Sequence, residues 1–229
     1  MYFGVLGKLF FKEFGMAKRL PVYIVIDTSG SMSGAPINAV NQAMATFNAA
    51  LNSNPAIMAV TWVSIITFNE TATQLFPLTA VEALRIPTLT ADSITNYGSA
   101  LSMLNDCLNR ECVFVGTETQ AADYRPLIFF FTDGEPTDDG QWEPVASKLQ
   151  QKNVTKGMHC FIAGCSKDAA LKLKKISENV YLITDTSPKH MADLFKLMTN
   201  SINMTSTSMG IDPNAGQKLP PLPAGIVIC

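Results

Sequence analysis

The stretch VYIVIDTSGSMSGAPI, Val22 to Ile37, decides how the rest of the chain is read. Its first part is an unbroken apolar run, as expected of a strand buried on both faces of a parallel sheet. The run stops on an acid, and polar side chains then stand at alternate positions, Asp27, Ser29 and Ser31, around Gly30. Behind them, APINAVNQAMATFNAALN carries Ile37, Val40, Met44, Phe47 and Leu51 at three- to four-residue spacing, which predicts a helix. Pro36 sits in its first turn, where proline is tolerated. The unit is strand, polar turn, helix. The turn itself admits three uses: a helix cap, a nucleophile, or half of a metal cage.

Outward from this unit, AVTWVSIITF is a second strand, and Asn69-Glu70 turns the chain into TATQLF as a hairpin. ALSMLNDCLN reads as a helix, RPLIFFFTDG as a buried strand, WEPVASKLQQKN as an amphipathic helix, GMHCFIAGC as a strand and DAALKLKKIS as a helix. NVYLIT is then a last strand, and SPKHMADLFKLMTNSIN a last helix capped by Ser187 with Pro188 at its first position. Strands separated by helices need crossover connections. The expected fold is therefore α/β: a doubly wound, mostly parallel central sheet with one short antiparallel edge strand and helices on both faces. Residues 20–205 form this domain, residues 1–19 an N-terminal extension, and residues 206–229 a tail that is Ser/Thr-rich and then Pro-rich.

At 229 residues, 47% hydrophobic and 16% charged, the chain can bury a large core and is too apolar to be disordered. A formal charge of −2 and the absence of a basic run argue against a nucleic-acid partner. Lys172, Lys174 and Lys175 fall at helical spacing on a solvated face. The N-terminal MYFGVLGKLFFKEFGMAKRL is interrupted by Lys8, Lys12 and Glu13, which makes it too short and too charged to span a bilayer. It also lacks the order of a signal peptide, and Met16 offers a second start. No membrane attachment is expected. Five cysteines are an odd number for a disulfide framework, and with only His159 and His190 beside them a zinc cluster is disfavoured. These features predict a reducing, cytoplasmic setting.

In open α/β sheets ligands gather at the carboxyl ends of the strands. Asp27 ends one strand there, and Asp133, in FFFTDG, ends another. Two neighbouring carboxylates repel each other unless a cation lies between them. Hydroxyls with one or two carboxylates suit Mg²⁺, with Mn²⁺ as an alternative and Ca²⁺ disfavoured in a small site. Each residue alone also has a plainer use. Ser29 or Ser31 could cap the following helix, Asp133-Gly134 could be a turn, and Thr95 could cap a helix. Asp138 and Asp139 would cap or precede the helix around Trp142, and Glu135 and Asn96 would be solvated loop residues.

The D-x-S-x-S of Asp27, Ser29 and Ser31, taken with TNYGSAL and TDG, resembles the metal-ion-dependent adhesion site (MIDAS) of von Willebrand factor A (VWA) domains. The resemblance implies a metal held by Asp27, Ser29, Ser31, Thr95 and Asp133, some of them through water. It also implies one coordination position open to an Asp or Glu of a partner protein. The phrases RLPVYIVIDTSGSMSGAPINAVNQ and TDGEPTDD are similar to those of bacterial tellurium-resistance (TerY-type) VWA proteins, which implies a stress-response setting with kinase or phosphatase partners. One departure is the loop before the threonine, commonly glycine-rich in such domains, which reads TADSIT here.

Two other functions compete. A Mg²⁺-dependent phosphatase with Asp27 as nucleophile resembles the haloacid dehalogenase type, which needs a second Asp where this chain has Ser29; no GxxxxGK[ST] occurs either. A membrane-attached or secreted VWA adhesion protein needs an export signal or an anchor, and the terminal GIVIC is too short for one. The expectation is a non-enzymatic, cation-dependent protein-binding module.

Overall fold

The structure, a computed structural model, describes residues 18–138, 140–152, 154–208 and 219–229. Most of the N-terminal extension, Asp139 and the first part of the tail lie outside the described residues. β1 (Leu20–Asp27) is buried along its whole length because it has a parallel neighbour on each side, β2 (Thr61–Phe68) and β4 (Leu127–Thr132). With β3 (Ala72–Ala80), β5 (Met158–Ala163), β6 (Asn179–Ile183) and β7 (Ile226–Ile228) they make one sheet in the order β3-β2-β1-β4-β5-β6-β7.

Six α-helices are described: α1 (Ala35–Asn52), α2 (Pro55–Met58), α3 (Tyr97–Glu111), α4 (Glu143–Gln151), α5 (Lys167–Leu173) and α6 (Pro188–Ser208). Successive strand side chains point to opposite faces, so each central strand serves two cores. Val22, Ile24 and Ile26 join Phe129 and Phe131 against Phe47 and Leu51 of α1 and Met191 and Leu194 of α6. Tyr23, Val25, Ile128 and Phe130 pack on Leu101 and Leu104 of α3, Leu149 of α4 and Leu173 of α5. Phe129 and Phe130, adjacent in sequence, thus anchor different layers, and burying each fully contributes about 1.5–3 kcal/mol. This is the doubly wound arrangement the alternating pattern predicts.

At one edge β3 pairs antiparallel with β2, as the hairpin reading expects. The opposite edge adds something unexpected. β7 pairs antiparallel with β6, setting Ile226 opposite Ile183 and Ile228 opposite Tyr181. NVYLIT is therefore not the last strand, and part of the stretch read as a tail completes the sheet. Three apolar residues behind a Pro-rich segment are too few for a period-two pattern to register; what holds them is the open edge of β6 and the burial of Ile226, 3% exposed. Among the described residues, no helix is long and apolar enough to cross a membrane.

The chain leaves β1 toward β2 on one side and leaves β4 toward β5 on the other, so the strand order reverses between β1 and β4. That crevice is where an open α/β sheet binds ligands. The register Ile26↔Phe131 continues one step to bring Asp27 beside Thr132 at this edge.

Candidate functional site

Asp27 is completely buried at the end of β1. Its Oδ1 accepts the backbone N–H of Ser29 at 2.8 Å, and its Oδ2 accepts the hydroxyl of Thr132 at 2.5 Å. The Oγ atoms of Ser29 and Ser31 lie 3.2 Å apart, and Ser31 donates to Asp133 Oδ1 at 2.7 Å. A continuous chain of contacts thus runs from the first carboxylate to the second. Gly30 permits the tight turn between the serines: its N–H donates to Ser93 O at 2.8 Å, and a Cβ there would stand 3.1 Å from that oxygen.

The Thr95 segment enters from a third direction. The Thr95 carbonyl accepts both the N–H and the hydroxyl of Thr137, each at 2.8 Å. Its own hydroxyl lies 3.4 Å from where a Cβ on Gly134 would sit, and Ser31 Oγ lies 3.9 Å from the same point. Gly134 therefore leaves open a cradle between two hydroxyls and the Asp133 carboxylate. All five side chains singled out in the sequence meet at this one edge.

Electrostatics at the edge are unfavourable without a counter-charge. Burial pushes the Asp27 carboxyl up to about 6, against the opposing hydrogen bonds from Thr132 and Ser29 and with a further push from Asp133. Burial also raises Asp133, opposed by the Ser31 hydroxyl. A buried and a half-buried carboxylate linked through the two serines form an all-oxygen donor set that fits a small hard cation. Among the described residues no three His, Cys, Asp or Glu side chains come together as a metal cluster, so a cation here would depend on the hydroxyls.

The capping alternatives resolve against the plainer uses. The N-cap of α1 is Gly34, at φ 79°, with no side-chain cap, so neither Ser29 nor Ser31 serves that helix. The N-cap of α3 is Asn96, whose Oδ1 accepts Ser99 N at 2.8 Å, so Thr95 is not the cap and Asn96 is not merely a solvated loop residue. Asp138 precedes the helix around Trp142, its carbonyl accepting Gln141 N at 2.9 Å, but its side chain caps elsewhere. Its Oδ2 accepts Gly98 N at 2.7 Å, in the first turn of α3 rather than in the helix around Trp142. In the TADSIT loop Ser93 adopts φ 65°, the left-handed conformation that glycine takes more easily.

Sequence reasoning overlooked two buried hydroxyls. Thr132 follows Ile128 and Phe130 at period two, so its position on the face of Asp27 was available from the strand pattern. Tyr97 carried no such signal. It is 1% exposed, and its hydroxyl reaches Gly134 O at 2.8 Å and Thr132 Oγ1 at 3.4 Å. Beside them, Cys165 Sγ donates to Asp133 O at 3.1 Å.

An open, doubly wound sheet with acids and hydroxyls gathered at its switch point is an α/β domain of the architecture that binds ligands at that crevice. The chain belongs to the von Willebrand factor type A domain family, which it matches over residues 22–197. Domains of this family commonly mediate protein–protein adhesion. Among solved structures it is similar to the vWF domain of the type V pili tip protein Mfa5 from Porphyromonas gingivalis, at 12% identity and TM-score 0.59, over 83% of this chain and 97% of that one. The pilus adhesin SpaC from Lactobacillus rhamnosus GG matches at 13% identity and TM-score 0.61, over 81% of this chain and 30% of that one. The ArnB paralog VWA2 from Sulfolobus acidocaldarius matches at 14% identity and TM-score 0.51, over 82% and 46%. At such identities the likeness is one of fold. No curated protein matches the sequence.

Proposed function

We propose that this domain is a cation-dependent protein-binding module. Asp27, Ser29, Ser31, Thr95 and Asp133 hold Mg²⁺, partly through water, and the cation offers a free coordination position to an Asp or Glu side chain of a partner protein. The observation that carries this reading is the convergence at one sheet edge of a buried and a half-buried carboxylate with the Ser29, Ser31 and Thr95 hydroxyls, two of which face the cradle at Gly134. The two carboxylates neutralise the ion, and the neutral hydroxyls leave it enough Lewis acidity to take a third carboxylate. Ile94, next to Thr95 and 51% exposed, supplies an apolar contact at the rim for the same partner. Mn²⁺ can replace Mg²⁺, whereas Ca²⁺ prefers more oxygens and a wider cage.

The proposed setting is cytoplasmic and reducing, in a tellurium or chemical stress response, with kinase- or phosphatase-associated partners. It rests on the local sequence phrases around Asp27 and Asp133 and on the cysteine usage. The test is capture from native lysate by wild-type protein and by Asp27→Ala, each with Mg²⁺ and with EDTA. A partner retained only by wild type with Mg²⁺ supports the reading. Equal capture in all four conditions would place the binding surface elsewhere.

A further inference from the structure

We propose that Tyr97 is a positioning residue that acts on Asp27 through Thr132, and thereby tunes cation affinity; this rests on the cation-binding reading above. The Thr132 hydroxyl has a single proton and two acceptors within reach, Asp27 Oδ2 at 2.5 Å and Gly134 O at 3.2 Å. The Tyr97 hydroxyl also has two acceptors, that same Gly134 carbonyl at 2.8 Å and Thr132 Oγ1 at 3.4 Å, and it donates to the nearer one, the carbonyl. A carbonyl can accept twice, but the shorter Tyr97 bond occupies its better direction and weakens its pull on Thr132, whose proton goes to the nearer Asp27 carboxylate. Gly134 N–H, donating to Thr132 Oγ1 at 3.2 Å, holds the hydroxyl in this orientation.

The relay also ties together segments far apart in sequence. Tyr97 opens α3 two positions after Thr95, Thr132 and Gly134 flank Asp133, and the last recipient is Asp27. The ring cannot drift, because it packs edge-on against Phe68, Phe130 and Trp142 with centroids 6.0, 5.3 and 6.1 Å away. Buried hydrogen bonds that orient a metal-binding side chain typically change affinity by about 10- to 100-fold when removed. Tyr97→Phe keeps the ring contacts and removes only the proton donor. The Gly134 carbonyl then competes with Asp27 for the Thr132 proton.

The experiment is calorimetric titration of Mg²⁺ into metal-stripped protein, with urea unfolding of each metal-free variant as a separate measure of stability. Tyr97→Phe is expected to weaken Mg²⁺ binding about tenfold. In a Thr132→Val background, where the relay is already cut, the same change costs nothing further. In a Thr132→Ser background, which restores the hydroxyl, the tenfold dependence on Tyr97 returns. Equal losses in the Thr and Val backgrounds, or no loss in either, would overturn the relay while leaving cation binding intact. Absence of Mg²⁺ binding by the wild type would overturn both the relay and the cation reading.

Discussion

Replacing Asp27 with Asn should stabilise the metal-free protein at neutral pH and leave it unchanged in acid. The folded carboxyl holds its proton up to about 6, whereas an unfolded Asp releases it near 3.8. A raised value means that the group favours the fold below the unfolded value, and that this contribution is lost as pH rises through the folded one. At about 1.4 kcal/mol per pH unit, the gap amounts to at most about 3 kcal/mol against the metal-free fold at about pH 8. Asn removes the buried charge and keeps an oxygen where Ser29 N–H donates at 2.8 Å. The raised Asp133 acts in the same sense but is present in both proteins and cancels from the difference. The assay is urea unfolding in EDTA across about pH 4 to about pH 8. The gap should open from near zero to about 3 kcal/mol in favour of Asp27→Asn, and saturating Mg²⁺ should then rescue only the wild type, by about 2.7 kcal/mol at a hundred times its dissociation constant. A gap that stays constant across the pH range would refute the claim that Asp27 is a desolvated, charge-bearing group.

Gly134→Ala places a methyl 3.4 Å from Thr95 Oγ1 and 3.9 Å from Ser31 Oγ, so Mg²⁺ affinity should fall several-fold in calorimetry while urea unfolding of the metal-free protein changes little. Asn96→Ala removes the N-cap of α3 and should cost about 1 kcal/mol in urea unfolding, whether or not metal is present. Ile226→Ala should cost about 2–4 kcal/mol and Val227→Ala less than about 0.5 kcal/mol, because the first side chain is buried against the sheet and the second is 52% exposed. Equal effects at the two positions would mean that β7 is not docked in solution.

What local sequence determined was the doubly wound core and the identity of the polar turn. Val22–Ile26 and Leu127–Phe131 are apolar enough that only a central position in a parallel sheet buries them. The three- to four-residue spacing of Ile37, Val40, Met44, Phe47 and Leu51 specifies a helix with one apolar face. These are properties of neighbours along the chain, so they can be read from the chain. The D-x-S-x-S spacing likewise marks where acid and hydroxyl groups cluster, since alternate positions in a bent turn face one point.

Tertiary structure decided which of several local uses each polar group takes. Asn96, Thr95 and Asp138 are all competent helix caps, and only the approach of the Thr132–Asp138 segment to α3 assigns capping to Asn96 and Asp138 and leaves the Thr95 hydroxyl facing the cradle. Tyr97 reads from sequence as one more core aromatic, because its hydroxyl partners lie 35 and 37 residues away. β7 could not be read either, since a strand of three residues exists only because β6 offers it an open edge. Periodicity records burial within one element; it carries no information on which hydroxyl from a distant strand completes a hydrogen bond. That choice follows from the register between β1 and β4, which brings Asp27 and Thr132 within 2.5 Å of each other.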